Sequence, residues 1–195
     1  MNYLKKISIK QYVVIILVIL VIYMTFSRHG PIVFFRKKKL TEKEKNRFLF
    51  LHNSVRNKCN KNIQKLEWDE KLAEYATKTA THLANNRFGK LIHANSYGDI
   101  GAGENLAMSY NMDDPIRLAI NGWAGEGYGD DATTSQTGHY TAMNWSTVNK
   151  VGCGMAKSYW GTIVSCNYKS PDGYVKPNTY GTYNDFVKCT KPISV

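Results

Sequence analysis

The chain has 195 residues, of which 43% are hydrophobic and 21% are charged, a composition typical of globular proteins and unlike that of disordered ones. Its formal charge of +11 is unevenly spread, because residues 1–40 contain eight Lys or Arg and no Asp or Glu. Subtracting those eight from the 26 basic residues leaves 18 against 15 acidic ones in residues 41–195, a charge of +3. Such a mixed surface lacks the basic stripe that phosphate binding requires, so no nucleic-acid partner is expected.

The first predicted element is a hydrophobic segment, an uncharged run over residues 12–26 with lysines before it and the basic cluster 36–39 after it. A cleaved signal peptide uses about 7–15 apolar residues and a spanning helix about 20, so the length fits either a signal peptide or an uncleaved signal-anchor. We therefore expect a targeting segment at 1–40 and a domain at 41–195 outside the cytosol, either secreted or held as a type II membrane protein. Contact with the membrane is expected only through residues 12–26, if they are not removed.

Three helices are predicted next, beginning near Thr41, Asp69 and Asp114. Thr41 with Glu44 matches a capping box, the apolar positions after Asp69 recur at steps of three and four, and Asp114 precedes a proline that suits the first helical turn. From Tyr140 onward, β-branched and aromatic residues alternate with glycine and turn residues, which is typical of strands. Helices followed by strands predict a single α+β domain.

The domain contains four cysteines, an even number behind a targeting segment, which favours disulfides. Cys153 and Cys166 lie in two strand-like runs joined by a turn, so a hairpin would bring them together. Cys59 and Cys189 would then pair by default and close a long loop. A structural zinc site made of four thiolates is disfavoured, since the chain has no CxxC pair.

Candidate functional residues lie in predicted loops: His93, Glu104, Glu126 and His139, each next to glycines or turn residues. Two imidazoles with two carboxylates suit a zinc or other divalent cation site, and they also suit general acid–base chemistry. A third interpretation is that the four side chains only support their loops through buried hydrogen bonds. The spacing alone does not distinguish these possibilities.

A family resemblance adds to this interpretation. The stretch Gly-His-Tyr-Thr-Ala-Met-Asn-Trp-Ser at residues 138–146 resembles the first signature of the CAP superfamily, the sperm-coating-protein-like and pathogenesis-related-1-like domains. Further matching segments follow the family's order: His93, Gly103-Glu104-Asn105-Leu106, Trp123 with Glu126, and Cys166-Asn167-Tyr168. The resemblance covers about residues 45–180.

The resemblance implies an α-β-α sandwich with a cleft that carries a His-Glu-Glu-His tetrad, here His93, Glu104, Glu126 and His139. In many members of the family the two histidines bind zinc, which makes His93 and His139 the expected metal ligands. Family members are mostly secreted binding or signalling proteins, and some bind sterols or other lipids. The expected partners are therefore a sterol or other lipid, or a cell-surface protein.

An enzyme is the less favoured expectation. The chain has neither the G-x-S-x-G elbow of serine hydrolases nor the H-E-x-x-H motif of zinc proteases. The alternative function is a metal- or histidine-assisted hydrolase, in which Ser96 or Ser109 would be activated by His93. His52 and His82 occupy helical positions at a helix surface or between helices, and they are placed outside the site.

Overall fold

The structure is a computed structural model that divides the chain into two units, residues 1–34 and residues 35–195. It describes residues 8–29, 39–59, 62–85, 90–110, 113–127, 137–171 and 195, with the backbone alone for 23–29. The first unit contains helix α1, Ile9–His29. Within the described residues, no helix combines the length and apolar character needed to cross a membrane. The proposed boundary at residue 40 stays a prediction.

The second unit contains five helices and four strands in its described part. In chain order they are α2 Glu42–Cys59, β1 Glu67–Trp68, α3 Glu70–Ala84, α4 Ser96–Ile100, β2 Gly103–Ser109, α5 Pro115–Gly125, α6 Gly138–Asn144, β3 Lys150–Lys157 and β4 Thr162–Lys169. The strands form one sheet in the order β1-β3-β4-β2, in which β1 runs parallel to β3 and the other pairs are antiparallel.

Two apolar clusters lie on opposite faces of this sheet. Residues of α3 pack with Leu106, Ala156 and Ile163 on one face. Residues of α2, α5 and α6 pack on the other face, against strand residues that include Val164 and Tyr168. Successive strand residues point to opposite faces, which is how β2, β3 and β4 contribute to both clusters. The expected α+β class and α-β-α sandwich are confirmed.

The predicted helix starts are confirmed by their capping bonds. Thr41 and Glu44 form the capping box, with Thr41 N donating to Glu44 Oε2 at 2.7 Å and Glu44 N donating to Thr41 Oγ1 at 3.2 Å. Asp69 accepts from two backbone amides at the start of α3. Asp114 accepts from the amide of Arg117 at the start of α5. Each bond satisfies an amide that a helix N-terminus leaves without a partner.

The close contact between α3 and β3 depends on two glycines. A Cβ at Gly152 would overlap the backbone of Ala73, and a Cβ at Gly154 would overlap the backbone of Thr77. The missing side chains allow the helix axis to come close to the sheet. This contact holds α3 against one face of the sheet, the face toward which Glu104 of the candidate site also points.

Two expectations were wrong: the position at which the strands begin, and the placement of Glu104 and His139 in loops, since Glu104 lies in β2 and His139 in α6. The strand pattern expected from Tyr140 onward begins only at Lys150, because residues 138–144 form α6. Tyr140 and Met143, one helical turn apart, are both fully buried, so tertiary packing overrides the β-branched and aromatic composition of this segment. His52 lies between helices, the second of its two expected placements, since its ring is fully buried and lies 6.4 Å from that of Trp123 in α5.

Cys153 and Cys166 form a disulfide directly across the β3–β4 hairpin, as the hairpin pattern predicts. Their Cα atoms are 4.1 Å apart. Cys59 is also disulfide-bonded, whereas Cys189, its expected partner, lies outside the described residues. The pairing of Cys59 with Cys189 therefore stays a prediction. Disulfides are typical of proteins that fold in an oxidising compartment.

Candidate functional site

One half of the candidate site is the pair of His93 and Glu104. His93 lies in the segment before α4, and Glu104 is the second residue of β2. Glu104 Oε1 accepts from His93 Nδ1 and from the amide of Ala94, both at 2.9 Å, and Oε2 accepts from Ser165 Oγ at 3.5 Å. The Glu104 side chain is 2% exposed while that of His93 is 61% exposed, so a fixed carboxylate orients a ring that faces solvent.

The second half is the pair of His139 and Glu126. Glu126 is the C-cap residue of α5, and His139 lies in the first turn of α6. Glu126 Oε1 accepts from His139 Nδ1 at 2.6 Å, and Oε2 accepts from the His139 amide at 3.1 Å. A single carboxylate therefore holds both the ring and the backbone of His139, which fixes the ring relative to its own helix.

The structure brings all four residues together at β2, which is an edge strand of the sheet. The rings of His93 and His139 have centroids 6.5 Å apart and planes inclined by 35°. The His139 ring is also stacked against Trp123, with centroids 6.2 Å apart and planes inclined by 24°. The two pairs come from opposite layers of the sandwich, since Glu104 shares a strand face with Leu106 whereas His139 belongs to α6.

The hydrogen bonds assign the same tautomer to both rings. A carboxylate at neutral pH only accepts hydrogen bonds, so Nδ1 of His93 and of His139 carries the proton. In the neutral form of such a ring the lone pair is on Nε2, the nitrogen on the side away from the carboxylate. The hydrogen bond with Glu104 raises the pKa of His93, because the nearby carboxylate favours the protonated ring. The arrangement offers two nitrogen atoms that can bind a metal ion, each on a ring oriented by a carboxylate.

Sequence reasoning missed the residues that support these pairs. Asn105 Nδ2 donates to the carbonyl oxygen of His139 at 2.9 Å, and Trp123 Nε1 donates to the carbonyl oxygen of Leu106 at 3.1 Å. Both bonds tie β2 to the α5–α6 layer. The alternation of β2 was the available signal, because a strand that directs Glu104 to one layer must direct Asn105 to the other.

The serines named for a hydrolase are not placed at the site. Ser96 begins α4, and Ser109 ends β2, where its hydroxyl donates to the Thr162 carbonyl oxygen at 3.4 Å. Neither side chain hydrogen-bonds to the four residues within the described part of the chain. The hydroxyl that does contact them belongs to Ser165, and that residue is fully buried.

A second group of potential metal donors lies in the core. One nitrogen of His52 and the sulfurs of Cys153 and Cys166 are all within 4.8 Å of one another. The two sulfurs are joined in the disulfide, so neither is the thiolate that binds a metal. Both nitrogens of His52 also have protein partners, Phe48 O and Tyr168 Oη. This group is therefore part of the core in the oxidised protein.

The structure thus belongs to the class of α-β-α sandwich proteins that carry two histidine–carboxylate pairs at an edge strand of the sheet. A family model described as CAP, the cysteine-rich secretory protein family, matches residues 49–168. The chain belongs to the CAP family, as the resemblance implied. The family's description refers to secretory proteins. This agrees with the location outside the cytosol that the targeting segment and the cysteines predict.

Among curated relatives, the chain is 34% identical over 134 residues to pathogenesis-related protein 1 of Arabidopsis thaliana, which covers 66% of the chain and 78% of that protein. It is 32% identical over 140 residues to pathogenesis-related protein 1C of Nicotiana tabacum, covering 68% of the chain and 79% of the relative. Both similarities extend over about two thirds of the chain.

Solved structures show the same fold. The crystal structure of NaASP2 with Zn2+ has a TM-score of 0.59 and 22% identity, covering 80% of this chain and 91% of that one. The structure of Schistosoma mansoni venom allergen-like protein 4 has a TM-score of 0.53 and 25% identity, covering 78% of this chain and 97% of that one.

Proposed function

We propose that this protein is a secreted, non-enzymatic binding module that holds a zinc ion between His93 and His139. The observation that carries the proposal is the pair of carboxylate–histidine contacts, in which Glu104 and Glu126 each bind Nδ1 and direct Nε2 away. Carboxylates in this position fix the tautomer of a metal-binding histidine and raise its basicity.

The donor set fits zinc. Imidazole nitrogen is a preferred zinc ligand, and zinc is usually four-coordinate, so two histidines leave two positions for water or for groups of a partner. The exposure of His93 makes the site reachable from solvent. The structural neighbour solved with Zn2+ supports the same choice of ion. Zinc would supply Lewis acidity and a link to a partner's oxygen or nitrogen atoms.

Binding is favoured over catalysis by what surrounds the pairs. A hydrolase that uses a serine needs its hydroxyl within reach of both substrate and base. Ser165, whose hydroxyl donates to Glu104 Oε2 at 3.5 Å, is fully buried and so is closed to a substrate. The described contacts therefore do not support a hydrolase that uses a serine, and a metal- or histidine-assisted hydrolase without a serine stays a prediction.

Replacing both His93 and His139 with alanine is expected to lower the zinc affinity by about 100-fold or more, because both nitrogen donors are lost. Isothermal titration of the purified protein with zinc chloride measures this change. The matched control is His82→Ala, since His82 is an exposed histidine of α3 outside both pairs. Wild-type affinity in a folded His93→Ala/His139→Ala variant would contradict the proposal.

A sterol or other lipid is proposed as a partner at a different place. A cavity of about 720 Å³ lies between the start of α2 and α3, and its lining includes the apolar side chains of Leu40, Trp68 and Ala73. Sites for small molecules typically have volumes of about 300–1,000 Å³ and mostly apolar walls. The lining also includes five charged residues: Lys39, Glu42, Lys45, Glu70 and Glu74. An apolar ligand with a polar head suits this combination.

Glu74→Trp is expected to weaken sterol binding by about tenfold, a loss of about 1.4 kcal/mol, because Glu74 lines this cavity and the larger indole would occupy part of it. Equilibrium binding of radiolabelled cholesterol to the wild-type and variant proteins measures the effect. Lys78→Trp, one turn further along α3 and outside this cavity, is the matched control. Equal binding by Glu74→Trp and wild type, or no binding by either, argues against a sterol at this position.

A further inference from the structure

A chain of buried hydrogen bonds connects α2 with the candidate site. His52 Nδ1 lies 2.8 Å from the carbonyl oxygen of Phe48, and His52 Nε2 lies 2.8 Å from Tyr168 Oη. Asn105 Nδ2 lies 3.2 Å from the same Tyr168 Oη and 2.9 Å from the carbonyl oxygen of His139. The side chains of His52, Tyr168 and Asn105 belong to residues that are fully buried or nearly so.

Only one set of proton positions satisfies this chain. The Phe48 carbonyl can only accept, so His52 Nδ1 carries the proton and Nε2 accepts from the hydroxyl of Tyr168. The Tyr168 oxygen then accepts from Asn105 Nδ2, whose two hydrogens serve Tyr168 and His139. Burial lowers the pKa of His52 to about 4, so the ring is neutral at pH 7, as this arrangement requires.

The chain ends on the backbone of a proposed metal ligand. His139 is held by its amide and ring through Glu126, and by its carbonyl oxygen through Asn105. Trp123 adds a packing contact along the same path, because its ring lies 6.4 Å from that of His52 and 6.2 Å from that of His139. A metal-binding side chain must be held within about 0.5 Å of the position in which it binds the metal. The hydrogen bonds and the packing contact that hold His139 therefore affect the affinity of the site for a metal.

We propose that His52, Tyr168 and Asn105 are positioning residues that set the place of His139 and thereby the zinc affinity of the site. This inference rests on the zinc site proposed above. None of the three would be a zinc ligand, since Asn105 binds the carbonyl oxygen of His139, and Tyr168 and His52 act through Asn105. The same three residues link the α2 layer, the sheet and the site, which explains why a polar chain occupies an otherwise apolar cluster.

Tyr168→Phe removes only the hydroxyl and keeps the aromatic ring, and Asn105→Ala removes the link to His139. Each is expected to weaken zinc binding by about tenfold, the lower end of the range for residues that support metal ligands. The double variant is expected to lose no more than the larger single effect, because both changes break one chain. Zinc titration calorimetry of the full chain measures all four proteins.

A second measurement does not depend on zinc. Nitrogen NMR of the zinc-free protein reports the His139 ring, and both variants are expected to shift its Nδ1 and Nε2 resonances. The matched control is Thr77→Val, which removes a buried hydroxyl that binds the Ala73 carbonyl oxygen within α3, away from the site. This control is expected to leave the His139 resonances and the zinc affinity unchanged.

The outcomes separate the two proposals. If folded Tyr168→Phe and Asn105→Ala keep both the wild-type zinc affinity and the wild-type His139 resonances, the positioning role is overturned. It is also overturned if Thr77→Val produces the same losses, because the effect would then follow stability alone. If the wild type binds no zinc, the zinc proposal fails, and the NMR comparison still decides whether this chain positions His139.

Discussion

Replacing Arg56 with methionine is expected to lower the free energy of unfolding by about 4 kcal/mol, because a buried guanidinium satisfies several backbone carbonyls at once. Arg56 is 1% exposed. Its five hydrogen bonds, of 2.7–3.1 Å, go to the carbonyl oxygens of Gln64, Met143, Trp145 and Val148. Methionine fills a similar volume but leaves these acceptors buried without a donor, at a cost of about 1–3 kcal/mol for each such group.

These bonds join three parts of the domain. Arg56 belongs to α2, Gln64 precedes β1, and the other three carbonyls lie in the last turn of α6 and in the segment between α6 and β3. Burial lowers the pKa of Arg56 to about 10, so the side chain remains a cation at pH 7. Carbonyl dipoles take the place of an acidic partner, which makes the geometry of the guanidinium more important than its charge.

Urea unfolding followed by circular dichroism measures the loss, with two variants for comparison. Arg56→Lys keeps the charge, but a single ammonium group cannot reach carbonyls on both sides, so an intermediate loss is expected. Arg117→Met changes an exposed arginine of α5, and its effect is expected to stay within about 0.5 kcal/mol. An Arg56→Met variant as stable as wild type would show that the carbonyls find other donors.

The second large effect is expected with pH. The pKa of His52 is about 4 in the folded protein, mainly because burial disfavours the charged ring, and 6.5 is its usual value. Between these values the unfolded chain binds a proton that the folded chain does not, so the free energy of unfolding rises with pH in this interval. His52 therefore contributes its full stabilisation above pH 6.5 and loses about 3 kcal/mol of it as the pH falls to 4.

Measuring the free energy of unfolding at several values between pH 4 and pH 7 tests this prediction. His52→Gln is expected to be less stable at pH 7 and to show a flatter dependence over this range, because the group that takes up the proton is gone. His82→Gln removes an exposed histidine and is expected to keep the wild-type slope. Identical slopes for wild type and His52→Gln would mean that other groups cause the acid sensitivity.

Local sequence signals predicted the helix starts and the β3–β4 disulfide because the interactions involved are close in the chain. The capping box joins residues three apart, and Cys153 and Cys166 are separated by 13 residues on a tight hairpin. The segment 138–144 was misassigned since its helix is stabilised by burial of Tyr140 and Met143 in the core. Composition within seven residues does not encode that burial.

The candidate site was found through its motif, and its supports were not. His93, Glu104, Glu126 and His139 are chemically conspicuous and occur in a family pattern. Arg56 looked like any basic residue of a surface helix, because three of its four carbonyl partners lie 87–92 residues further along the chain, at the end of α6 and in the segment after it. Contacts of that separation follow from the packing of the layers and not from periodicity.

The sheet separates two apolar clusters that share no side chains, and the proposed metal site is one place where their layers meet. A ligand held by His93 and His139 would bind only when both layers are docked, so its binding energy would oppose their separation. At a free concentration 100 times its dissociation constant, such a ligand adds about 2.7 kcal/mol to the stability of the docked state. Bound zinc would then couple the two layers of the sandwich, so that they unfold together.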